Sequence, residues 1–200
     1  MRTKLEQISK SGISGSTLKL IACISMLIDH SAVILGASGI ADLLLRQVIG
    51  RLAFPIFAFL LVEGFLHTRN PGKYFCNLFF FALISELPYD LVITSTDSYR
   101  PEFTCQNTLF TLSLGLLTLI CARKLTTLCE LRAKKTEDLF SHRSSDISVL
   151  SAVQIGVIAL FGLMAHLLHL DYGFFGIACI GAMYLYRRNR PRQFLQDASA

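Results

Sequence analysis

The sequence predicts an all-α fold, a polytopic bundle of about six transmembrane helices. Three observations predict it. Of 200 residues, 52% are hydrophobic and only 16% are charged, against about 25% charged in a typical soluble domain. Mean hydropathy is +0.52. The apolar residues also come in continuous blocks of roughly 18 to 22, enough to cross about 30 Å of hydrocarbon as helix. A closed barrel would need alternating apolar and polar residues instead.

Six spans follow in order. They are expected at Leu18–Gly36, Val48–His67, Tyr74–Thr94, Thr108–Leu128, Val149–Leu168 and Gly173–Tyr186, the last being short. The polar stretch 1–17 reads as a cytoplasmic N-terminal segment, 18–187 as the membrane domain and 188–200 as a basic cytoplasmic tail. No cleavable signal peptide is apparent, so the first run reads as a signal anchor. The connection at about 122–147 mixes both signs of charge, lacks Gly and Pro, and is expected to be partly helical.

Charge orients the spans. With both termini in the cytoplasm, the inner segments hold Arg2, Lys4, Lys10, Lys19, Arg69, Lys73, Arg123, Lys124, Arg132, Lys134, Lys135, Arg143, Arg187, Arg188, Arg190 and Arg192. That is sixteen of nineteen Lys and Arg, leaving Arg46 and Arg100 outside and Arg51 within the second span, as the positive-inside rule requires. The net charge of +5 therefore belongs to topology, and no nucleic-acid partner is expected. The six cysteines show no metal-ligand spacing, so no metal site is expected.

Against this background the intramembrane polar residues stand out, because each is costly at membrane depth unless satisfied or functional. Asp29-His30 lies in the first span, about a dozen residues from its inner start, or about 18 Å in. Arg51 enters the second span at a similar level. Glu86 and Asp90, four apart on the third span, share a face, and Pro88 between them is expected to bend or break the helix. Gln106-Asn107 opens the fourth span, and His166, His169, Asp171 and Tyr172 lie at the turn between the fifth and sixth. These residues are expected to converge on one layer in the outer half of the bundle. A carboxylate beside an imidazole is suited to general base chemistry. Equally, Asp29-His30 can be an interhelical hydrogen-bonding pair, Arg51 a counter-ion, and Glu86 with Asp90 a brace around Pro88. A smaller inner set comprises Glu63 and His67, at i and i+4, with Arg69 and Lys73; these suit the phosphates of a cytosolic cofactor, or simply mark an inner loop.

The strings Leu18-Lys-Leu-Ile-Ala…Met26-Leu-Ile-Asp-His30, Ile49-Gly-Arg-Leu-Ala-Phe-Pro55 running on to Phe65, His67-Thr-Arg-Asn-Pro71, Ala82-Leu-Ile-Ser-Glu-Leu-Pro-Tyr-Asp90, Gln106-Asn107…Phe110-Thr-Leu112 and Asp171-Tyr-Gly173 resemble the TraX family. That family is named for the inner-membrane protein that N-acetylates conjugative pilin. The resemblance implies a bacterial inner-membrane acetyltransferase that uses acetyl-CoA, with no metal, on an acceptor peptide amine, glycan or lipid at the bilayer. It makes His30 the general base or transient acyl carrier, Asp29 its orienter and Arg51 a stabiliser of charge on the acyl carbonyl, with Glu86 completing the catalytic set. Glu63, His67, Arg69 and Lys73 would hold the cofactor, and Asp90, Gln106, Asn107, Asp171 and Tyr172 the acceptor. The family pattern continues with further hydrophobic segments where this sequence reaches Asp197-Ala-Ser-Ala200, which implies a C-terminally short member. An outer polar layer and a cytosolic donor also imply that the acetyl group travels through the bundle. A proton-coupled transporter would use the same kinds of residue, although no internal repeat is visible, and a non-catalytic membrane partner would need none of them.

Overall fold

A computed structural model describes residues 14–35, 39–40, 43–94, 107–137 and 145–197. Among them are six α-helices and no strand: α1 (Gly15–Ile34), α2 (Ala53–His67), α3 (Pro71–Thr94), α4 (Thr108–Glu137), α5 (Ser145–Leu167) and α6 (Gly173–Asp197). Each matches one predicted span. Gly50–His67, Thr108–Arg132 and Leu150–Leu167 are long and apolar enough to cross a membrane, while Gly173–Arg187 is apolar but shorter. Helices α1 and α3, of 20 and 24 residues, carry Lys19 and Asp29, and Lys73, Glu86 and Asp90, within their lengths.

The exposed surface is what lipid requires. Leu20, Ile24 and Leu27 on α1, Phe80, Phe81 and Ile84 on α3, and Leu160, Leu163 and Leu167 on α5 are exposed, while Ser25, Thr111, Ser113, Thr118, Thr126 and Gln154 are buried. In water such an exterior would drive association. Against hydrocarbon it costs nothing, and the driving force for packing moves to small and polar residues between helices.

The helix starts follow from local chemistry. Ser14 Oγ accepts the Thr17 amide at 3.1 Å and Asn70 Oδ1 accepts the Lys73 amide at 3.1 Å, both as N-caps, and Pro71 opens α3 where its missing N–H costs nothing. One expectation is corrected and one is narrowed. The second span begins as a π-helical turn (Leu43–Ile49) tightening to a 3-10 turn (Gly50–Leu52) before becoming α-helical at Ala53. In addition, α3 runs unbroken through Pro88 to Thr94. A proline removes one backbone hydrogen bond; a break at membrane depth would strand several more.

Residues 1–60 and 61–200 form two compact units, and the chain passes from one to the other within α2. In the first unit, α1 packs along the π and 3-10 turns. Its buried stripe is Ala22, Ser25 and Ala32, and Asp29 falls on the same stripe by spacing. In the second unit α4 packs against α3, α5 and α6, and α5 packs against α6. The close approach of α5 and α6 depends on Gly181: a Cβ there would lie 2.7 Å from Ile158 Cδ1. Their turn is a Schellman motif. His169 adopts φ 53°, with His169 N–H to His166 O at 3.1 Å and Leu170 N–H to Ala165 O at 3.1 Å. Leu170 and Ala165 then meet in the core with Ile158 and Ile177, the hydrophobic contact that accompanies this helix stop. His169 is thus a helix terminator.

Candidate functional site

In the first unit the site is built by α1 and the irregular turn facing it. Ser25 donates its hydroxyl to the Ile49 carbonyl, which fixes the turn on α1. Gly50 is then pressed onto Asp29: a Cβ at Gly50 would lie 2.6 Å from Asp29 Oδ1, 2.7 Å from its Cβ and 2.8 Å from its Cγ. Only glycine fits. The Gly-Arg pair of the sequence therefore has a physical reason, since Gly50 admits the carboxylate and Arg51 follows it. Arg51 is exposed and makes no ion pair among the described residues.

His30, next to Asp29, projects from a different side of α1. Its Nδ1 lies 2.7 Å from the Met26 carbonyl. A carbonyl only accepts, so Nδ1 carries the proton, and in the neutral ring Nε2 holds the lone pair. The orienting contact on Nδ1 is thus main-chain, one turn back on the same helix.

The second unit has two polar ends. At the one bearing Asn107, that residue is 7% exposed and uses most of its bonding capacity. Its Oδ1 accepts the Leu109 amide at 3.1 Å as the cap of α4. Its Nδ2 donates to Ser85 Oγ at 2.8 Å and its backbone N–H to Glu86 Oε2 at 3.4 Å. Beside it, the Thr108 hydroxyl donates to Asp171 Oδ2 at 2.7 Å. Glu86, Asn107 and Asp171 are thereby tied into contacts linking α3, α4 and the α5–α6 turn. Tyr172 is half-buried on that turn. Asp90 lies on α3 with its side chain outside the described residues, and Gln106 falls outside them altogether.

At the opposite end, Glu63 pairs with Arg187 of α6. His67 Nδ1 donates to the Glu63 carbonyl at 2.8 Å and stands 3.9 Å from its Oε2. Nearby, Phe65, Thr68, Arg69, Pro71, Ile120, Arg123, Lys124, Thr127 and Leu128 line a cavity of about 670 Å³. The Arg123 guanidinium sits 5.7 Å from the centre of the Phe65 ring. A smaller cavity of about 250 Å³, sharing Phe65, Arg123 and Thr127, adds Leu66, Thr126, Glu130 and Tyr184. Of the four expected inner residues, Arg69 lines the larger cavity; Glu63 and His67 do not line it, and neither does Lys73. Arg123, Lys124 and Arg187 were not selected from the sequence because all three look like ordinary positive-inside residues. No group of His, Cys, Asp and Glu among the described residues is arranged to hold a metal.

The family model described as "TraX protein" matches residues 14–198. The chain belongs to the TraX family. It is also similar to the "Probable fimbrial assembly protein FimC, serogroup H1" of Dichelobacter nodosus, with 41% identity over 111 residues. That match covers 54% of this chain and 46% of the relative, so it spans less than half of the relative's length. No solved structure matches the chain significantly. The TraX assignment and the helices long enough to cross a bilayer make this a membrane protein.

Proposed function

We propose that this TraX protein is a multi-pass enzyme of the bacterial inner membrane that acts in pilus assembly. It transfers an acetyl group from acetyl-CoA to an amine or hydroxyl of a membrane-associated acceptor, a pilin-type N-terminus being the leading class and a glycan or lipid the others. The family match over residues 14–198 carries this reading, and the similarity to a fimbrial assembly protein supports its pilus context.

The geometry of the first unit suits the chemistry. The acceptor nitrogen attacks the thioester carbonyl carbon as its proton passes to His30 Nε2. The C–S bond then breaks, and the same proton returns to the departing thiolate to give the free thiol of CoA. Holding Nδ1–H on the Met26 carbonyl keeps the ring in the tautomer that this requires. Arg51, exposed beside Gly50, supplies positive charge for the oxyanion of the tetrahedral intermediate. Asp29, packed on Gly50, fixes the turn that carries Arg51.

The test is acetyl transfer from labelled acetyl-CoA in proteoliposomes holding a pilin-derived acceptor. His30→Ala is expected to lower the rate by about 10²–10⁴-fold. Undiminished transfer by a well-folded His30→Ala protein removes His30 as the base. Absence of transfer by the wild type, with solute flux driven by a pH gradient in its place, replaces the enzyme with a transporter.

A further inference from the structure

Among the described residues, the cavity of about 670 Å³ in the second unit is lined by three cations, Arg69, Arg123 and Lys124, and by no acid; Glu130 lines the smaller neighbouring cavity that shares Arg123. Like charges sharing a concave, partly apolar site repel one another and focus a positive field on its contents. Nearby Arg187 is neutralised by Glu63, so charge matching by the protein itself operates a short way off. The Arg123 guanidinium carbon lies over the Phe65 ring, 5.7 Å from its centre, a cation–π contact that uses none of the N–H donors as hydrogen bonds and so leaves them for bidentate bonding to phosphate. Lys124 and Arg69 add point charges. Phe65, Ile120 and Leu128 supply apolar walls. The volume falls within the roughly 300–1,000 Å³ typical of small-molecule sites.

We infer that this cavity binds the phosphate groups of a soluble nucleotide-type acyl donor, with Arg123 as the bidentate contact and Lys124 and Arg69 as its electrostatic partners. The inference rests on the acetyl-CoA reading above and adds to it where the donor binds. Phosphate chemistry has a second source at a membrane, the headgroup of an anionic lipid, and the test separates the two.

The full chain is placed in nanodiscs of phosphatidylcholine, and binding of coenzyme A and of adenosine 3′,5′-bisphosphate is measured by calorimetry at two salt concentrations. Both ligands are expected to bind, more weakly at higher salt. Arg123→Ala with Lys124→Ala should weaken both by at least about thirtyfold, as expected for losing two charged contacts. Arg123→Lys should fall between that variant and the wild type, because an ammonium cannot bond bidentately. A single Lys124→Gln variant gives an independent reading if the double variant melts early. Coenzyme A binding that is equal in wild type and folded variants overturns this site and leaves the donor reading intact. No binding of either nucleotide to folded wild type overturns both. Retention of labelled phosphatidylglycerol that is lost in the variants, with no nucleotide binding, makes the cavity a lipid-headgroup site and overturns the inference.

Discussion

The two ends of the 61–200 unit treat polar groups in opposite ways. Around Asn107 they answer one another: its side-chain amide caps its own helix and bonds to Ser85, its backbone N–H bonds to Glu86, and Thr108 reaches Asp171. Around Arg123 three cations face a cavity whose lining holds no acid among the described residues. Polar groups buried between helices stabilise when matched and are costly when not. A set that the protein matches internally therefore reads as structure, and a set left facing space reads as a place for something else. On that contrast, the contacts of Glu86, Asn107 and Asp171 join neighbouring elements of the bundle, and Arg69, Arg123 and Lys124 are the cations that the proposed donor would meet.

Substitutions can break or sharpen the contrast. The largest effect on stability is expected from Asn107→Ala, which removes a cap and the buried interhelical bond to Ser85 at once, while the backbone N–H to Glu86 remains. A loss of about 3 kcal/mol is expected in denaturant titration, with coenzyme A affinity unchanged. A tenfold affinity loss without destabilisation would reverse the assignment of the two ends. Gly50→Ala is expected to cost about 2 kcal/mol through overpacking on Asp29, and to lower acetyl transfer together with stability because it displaces the turn bearing Arg51. Full activity there would show that the Gly50–Asp29 contact is only a packing feature. Glu63→Gln removes the partner of Arg187, whose side chain is 37% exposed. With that exposure the loss should stay under about 1 kcal/mol, and the freed Arg187 makes any change in coenzyme A affinity a gain. A marked drop in affinity would put Glu63 in the site after all. Thr108→Val should be the mildest, at about 0.5 kcal/mol, since its bond to Asp171 is exposed.

Much of the fold was legible because membrane helices announce themselves. Each of the six predicted spans coincides with one helix, since the burial of backbone polar groups and the length of the hydrocarbon core leave little choice of element. Of the two outcomes expected at Pro88, a bend or a break, the break does not occur, because opening a helix in hydrocarbon costs more than the one bond the proline removes. The start of the second span misled because π and 3-10 turns carry no signature in hydropathy. Of the candidate residues, Asp29, His30 and Arg51 were visible as charges in apolar runs. Arg123 and Lys124 were hidden among residues that satisfy the positive-inside rule, which makes a ligand-facing cation look like any other inner cation.

The sequence by itself determined the helical class, the family and the residues able to carry acid–base chemistry, because those depend on local composition and on strings of neighbouring residues. Only the tertiary structure decided that Gly50 admits Asp29, that Glu63 belongs to Arg187 across 124 positions, and that Arg69 and Arg123 line one cavity. Such pairings are set by which helix faces meet, and the repeating apolar surfaces of membrane helices leave that choice almost unmarked in the sequence.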